Sequence, residues 1–132
     1  IFGIPEVKRG LIAGSGGLVR LPLRIPRQIA MEAALTGGPM TAAEARQWGL
    51  VNRLVPEGAA AEEAKSLARK IAANGPLAVR VTKRVISEAS DWLPEERWAR
   101  QRALLEQVIT SADAREGAQA FSEKRAPAWT GR

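Results

Sequence analysis

The sequence predicts a mixed α/β fold to which this chain contributes mainly helices. Three observations support that. Residues 1 to 5 are extended, because the residue before a proline avoids the helical region, and Pro5 closes the segment. A glycine-rich loop, Gly10 to Gly17, follows directly. From there, apolar residues recur at helical spacing almost to the C-terminus. A strand cannot satisfy its own backbone groups. The opening segment therefore also predicts a sheet-bearing part upstream, of which Ile1 to Pro5 would be the end.

Residues 18 to 36 are expected to be helical in two pieces, interrupted by Pro22 and Pro26. The second piece has Pro26 at its start and Gly37-Gly38 beyond its end, the usual asymmetry of helix termini. Thr41-Ala42-Ala43-Glu44 is a capping box opening a short helix to Trp48, which Gly49 terminates. Leu50 to Val55 then predicts a short strand or extended return. Residues 58 to 73 place Ala60, Ala64, Leu67 and Ile71 on one helical face, and Asn74-Gly75 ends that helix. Pro76 opens the next, whose face over 77 to 89 carries Ala78, Val81, Val85 and Ala89. Residues 95 to 109 carry Trp98, Leu105, Val108 and Ile109. Ser111 is a suitable N-cap for a last helix over Ala112 to Arg125. The tail Ala126 to Arg132 shows no periodicity.

Composition narrows the chemistry. The chain has 132 residues and 45% hydrophobic content, enough for one modest core. It has no Cys and no His, which removes disulfides, thiolate nucleophiles, Cys-ligated metals and the commonest general base. Tyr is absent too, so acid-base chemistry falls to Asp, Glu, Lys, backbone groups or water. The net charge of +6 raises the question of nucleic acid. However, 14 acidic residues are interspersed with the 20 basic ones, and aromatics make up only 5%. A phosphate-bearing small substrate accounts for the charge as well, and so does a solvated surface. No apolar run reaches the roughly 18 residues needed for a membrane span.

Several pieces of the sequence act together. Phe2-Gly3-Ile4-Pro5-Glu6 precedes Gly10 and then Gly14-Ser15-Gly16-Gly17. Leu35-Thr36-Gly37, Thr41-Ala42-Ala43-Glu44-Ala45 and Trp48-Gly49-Leu50-Val51-Asn52 follow in order. Next come Asn74-Gly75-Pro76-Leu77-Ala78 with Thr82-Lys83, then Asp113-Ala114-Arg115-Glu116-Gly117, Ala120-Phe121 and Glu123-Lys124-Arg125. This succession resembles the C-terminal half of the enoyl-CoA hydratase/isomerase (crotonase) superfamily along essentially the whole chain. The resemblance implies the crotonase-like (ClpP/crotonase) spiral α/β fold, with this chain as its mostly helical C-terminal portion. Residues 1–55 would be part of the core with the active-site loop. Residues 56–132 would be a helical region for oligomerisation and CoA contact.

Four positions are singled out by the resemblance. By itself, an acidic residue after a proline is an ordinary first-turn helix residue, favoured by the helix dipole. In the family, the residue matching Glu6 is one of two catalytic glutamates and exchanges a proton with the substrate's α carbon. Gly14 matches a position on the water-holding side of the site, although a glycine loop also serves tight turns and close packing. Lys124 matches a lysine that contacts the CoA phosphates, often across a subunit boundary; an exposed lysine otherwise only solvates a surface. Leu105 matches an apolar contact to the adenine end, and equally suits a core or interface position.

The implied reaction is hydration of a 2-enoyl-CoA thioester, as in fatty-acid β-oxidation. An oxyanion hole of two backbone N–H groups would stabilise the enolate-like state. Coenzyme A is then part of the substrate, with no separate cofactor and no metal. The resemblance places the oxyanion donors and the second carboxylate upstream of Ile1, so the chain by itself is expected to be inactive. It also implies a homo-oligomer, trimer or hexamer, located in the cytoplasm, with no nucleic-acid partner and no membrane span. Two other readings remain: a non-catalytic oligomerisation or acyl-CoA-binding module, and another reaction of the superfamily such as enoyl-CoA isomerisation.

Overall fold

The computed structural model describes all of residues 1–132 and divides into two compact units, Ile1–Ala61 and Glu62–Arg132.

In the first unit the chain enters extended. Phe2 forms an isolated antiparallel bridge with Met40, each N–H donating to the other's carbonyl at 2.8 Å. A 3-10 turn over Glu6–Arg9 follows, and Gly10 closes it in the left-handed region at φ 67°. Helix α1 (Gly17–Arg20) runs into a second 3-10 turn at Leu21–Leu23, where Pro22 prevents a longer helix. Helix α2 (Arg27–Thr36) starts after Pro26 and stops at Gly37, φ 60°. Helix α3 (Ala42–Gln47) carries the expected capping box: the Thr41 hydroxyl accepts from Glu44 N–H, and the Glu44 carboxylate accepts from Thr41 N–H at 2.7 Å. The core of this unit is Ile25, Ala30, Met40 and Ala45, with Leu21, Ile29 and Trp48 packed against it. Leu50 to Val55 forms no strand. Val51 N–H turns back to the Ala45 carbonyl instead, so the segment is a return rather than a strand.

The second unit is helical. It contains most of α4 (Ala60–Ala72), then α5 (Pro76–Glu88), α6 (Arg97–Ile109) and α7 (Ala112–Ser122). Helix α5 packs on α6, and α6 on α7. Ser111 caps α7 by accepting from Ala114 N–H at 3.0 Å. The predicted helix to Arg125 stops three residues earlier, because the chain turns left-handed at Lys124. Trp92, Leu104 and Ala120 are buried, yet α4 and α5 contain no fully buried residue. No helix is long and apolar enough to cross a membrane.

Candidate active site

Glu6 is placed by local backbone geometry. Pro5 fixes the entry to the turn, and its carbonyl accepts from Lys8 N–H at 3.0 Å. Gly10 and Leu11 donate back to the carbonyls of Val7 and Glu6. The turn rests against the end of α2. A Cβ on Gly37 would stand 3.1 Å from Lys8 Cγ and 3.2 Å from Val7 Cγ2, on a backbone already left-handed. Gly37 thus ends α2 and admits the turn that carries Glu6.

The Glu6 side chain is half-buried, and its Oε2 is fully shielded without any hydrogen-bond partner. Buried polar atoms in native proteins are nearly always paired, and an unpaired carboxylate oxygen is the costly case. Glu6 Oε2 is the one such side-chain atom in the molecule. It is a shielded acceptor that nothing within the chain satisfies.

The glycine loop divides its work. Gly16 is left-handed at φ 83°, and a Cβ there would fall 2.5 Å from the Arg20 guanidinium. Arg20 reaches back to donate to the Ser15 carbonyl at 2.7 Å. Gly16 is therefore demanded by its left-handed turn, since the Arg20 guanidinium, at the end of a flexible side chain, could swing aside. Gly14 is not: a Cβ there would meet nothing within 4 Å, and the residue is exposed. Close packing does not account for Gly14, which presents an open backbone edge.

The other two candidates lie in the second unit, so the four divide two and two. Leu105 on α6 is half-exposed and lines a cavity of about 270 Å³ between α5 and α6, with Val81, Val85 and Val108. Its neighbour Leu104 is the buried residue of that helix. Lys124 follows α7 with φ 53°, the only non-glycine residue at positive φ. Its N–H donates to the Phe121 carbonyl at 3.2 Å, and Arg125 N–H to the Ala120 carbonyl at 3.0 Å. This is a Schellman ending with lysine where glycine is usual. An L-residue there costs roughly 1–2 kcal/mol, and such strain concentrates at functional positions. The Lys124 ammonium is exposed and makes no ion pair or side-chain hydrogen bond.

A further group of residues had no role assigned from sequence. Asp113, 5% exposed, accepts from Thr130 N–H at 2.7 Å, Thr130 Oγ1–H at 2.9 Å and Gly131 N–H at 2.9 Å. These bonds, the Thr130 backbone one above all, hold its carboxyl below the usual range. Glu116 accepts both arms of the Arg125 fork, at 2.6 and 3.0 Å, and Ala128 N–H at 2.7 Å. The Arg125 bonds lead in pulling its carboxyl down to about 2. Trp129 Nε1–H donates to the Ala73 carbonyl at 2.8 Å, and the indole lies over Gly75 and Gly117. The aperiodic tail is therefore a latch. The signal was present as Asp113-Ala114-Arg115-Glu116-Gly117, two acids and a glycine on α7.

The family model described as Enoyl-CoA hydratase/isomerase matches residues 1–132. The carnitinyl-CoA dehydratase of Salmonella typhi is 42% identical, across 99% of this chain and 52% of its own length. The crystal structure of enoyl-CoA hydratase from Mycobacterium tuberculosis is 58% identical with a TM-score of 0.92, covering 99% of this chain and 52% of that one. For enoyl-CoA hydratase from Bacillus anthracis the values are 39% and 0.91, covering 98% and 50%. The chain spans about half the length of the curated relatives it matches. It belongs to the enoyl-CoA hydratase/isomerase family and has the mostly helical portion of the crotonase-like fold.

Proposed function

We propose that the whole protein is an enoyl-CoA hydratase-type lyase, in which Glu6 exchanges a proton with the carbon next to the thioester carbonyl. Hydration places a hydroxyl on the β carbon and a proton on the α carbon; dehydration, the reaction in the name of the Salmonella relative, runs the same steps backwards. The observation that supports this most is Glu6 Oε2, buried and unpartnered at the position matching the family's acid-base glutamate. A group in that state has no structural bond to give up when it takes or delivers a proton.

The remaining roles follow from the resemblance. Gly14 lines the water side with its open backbone edge, and Leu105 contributes an apolar wall toward the adenine end. Lys124 offers an unpaired ammonium to the CoA phosphates. The second carboxylate and the oxyanion N–H donors come from the part of the family pattern preceding this stretch. The residues described here therefore do not complete the site by themselves. Exposed apolar side chains on α6, with Trp98 at 74% exposure and Ile109 at 58%, support homo-oligomeric assembly.

Hydration is assayed in the whole protein as loss of the conjugated 2-enoyl thioester absorbance. Glu6→Gln should lower turnover by roughly 10²-fold or more while leaving acyl-CoA binding nearly intact. Unchanged turnover would refute the role of Glu6. Turnover of a 3-enoyl-CoA but not of a 2-enoyl-CoA would turn the assignment to an isomerase, which the family description also covers.

A further inference from the structure

We propose that Glu116 is a positioning residue for Lys124, acting through Arg125 to hold the lysine backbone left-handed and its ammonium ready for the CoA phosphates. The inference rests on the acyl-CoA reading above and adds the device that prepares the phosphate contact.

The turn at Lys124 is of a kind elsewhere closed by glycine in this chain. Gly10 closes the Glu6 turn and Gly37 closes α2, both left-handed. Lysine has no such conformational ease, so its neighbours must impose the geometry. They are arranged to do so. Arg125 is held on Glu116 by the two-armed pair and donates through Nε to Glu123 at 2.5 Å. Glu123, on the other side of Lys124, also accepts from Gln119 Nε2–H at 2.8 Å. Glu116 in turn holds Ala128 N–H, which fixes the chain beyond the turn. The residues before and after Lys124 are thus both tied down by their side chains, and the Lys124 side chain alone is left unbonded. A latch serving stability only would be as well made with glycine at 124.

Charge gives the proposal a distinctive sign. Glu116→Gln removes a negative charge from a chain of net charge +6. Long-range electrostatics would then favour an anionic ligand. Positioning predicts the opposite, a weaker hold on CoA.

The test is calorimetric titration of free CoA into the whole protein. Lys124→Ala should weaken binding roughly 10-fold, and Glu116→Gln roughly 3- to 10-fold. The double variant should bind no more weakly than Lys124→Ala alone, because Glu116 acts through the lysine. Arg125→Lys keeps the charge but loses the fork, and should behave as Glu116→Gln does; it also supplies the answer if Glu116→Gln folds poorly. A pantetheine thioester has no phosphate and should be turned over equally by wild type and Glu116→Gln. CoA binding by Glu116→Gln as tight as wild type, additive losses in the double variant, or an equal drop with the pantetheine thioester would each overturn the proposal. Wild-type protein that fails to bind CoA would overturn the acyl-CoA reading along with it. Wild-type binding that Lys124→Ala weakens and Glu116→Gln does not would overturn the positioning role alone.

Discussion

Glu6 and Asp113 are both carboxylates shielded from water, and they are treated in opposite ways. Asp113 accepts three hydrogen bonds from Thr130 and Gly131 and so fastens the C-terminal tail to the start of α7. Glu6 sits in a short turn fixed by Pro5, Gly10 and Gly37, and its Oε2 accepts none. The backbone around Glu6 is as carefully bonded as that around Asp113, so the difference lies in the carboxylates themselves. Within one chain, the satisfied acid is architectural, and the unsatisfied one is the candidate for chemistry under the function proposed above.

The contrast can be pressed first on the latch. Trp129→Ala removes an indole from the Gly75–Gly117 notch and leaves the Ala73 carbonyl without its donor. The expected loss is roughly 2–3 kcal/mol, read as a lower denaturant midpoint with little change in slope. Acid should act on the same region. Glu116 is held near 2 against an ordinary 4.5, and Asp113 and Glu123 are lowered too. Groups with depressed values stabilise fully above their ordinary range and lose that contribution as pH falls through the folded value. The thermal midpoint should therefore drop between pH 4.5 and about 2, and drop less in Glu116→Gln. The smallest effect is expected at Lys124. Lys124→Gly relieves the left-handed strain and should raise stability by about 0.5–1 kcal/mol while weakening CoA binding. A gain in both stability and affinity would remove any functional reason for lysine there.

Several helices were legible because their ends are marked. Pro26, Pro76 and the Thr41–Glu44 box open helices, and Gly37, Gly49 and Asn74-Gly75 close them. Two segments were only partly legible. Leu50 to Val55 allowed a short strand or an extended return; its composition could not choose, and the chain takes the return, turning back to Ala45. The tail has no periodicity because it is held by single side chains, Asp113, Glu116 and Trp129, from residues up to 56 positions away. The ending at Lys124 was hidden for a related reason: lysine carries no propensity for positive φ, and only the surrounding bonds hold it there. At the candidate site, the resemblance carried by the Phe2 to Gly17 motif singled out Glu6 and Gly14. That one carboxylate oxygen stands unpartnered, and that Gly16 is left-handed while Gly14 is not, depends on tertiary geometry that the sequence does not spell out.

The most direct measurement compares the thermal midpoints of Glu6→Gln and Asp113→Asn in the whole protein. Asparagine at 113 would turn an amide N–H₂ toward donors that now meet a carboxylate, so its midpoint should fall clearly. Glutamine at 6 breaks no bond and should leave the midpoint unchanged or slightly higher. If Glu6→Gln instead lowers the midpoint as far as Asp113→Asn, the Glu6 carboxylate is a structural group, and the division between the two acids is wrong.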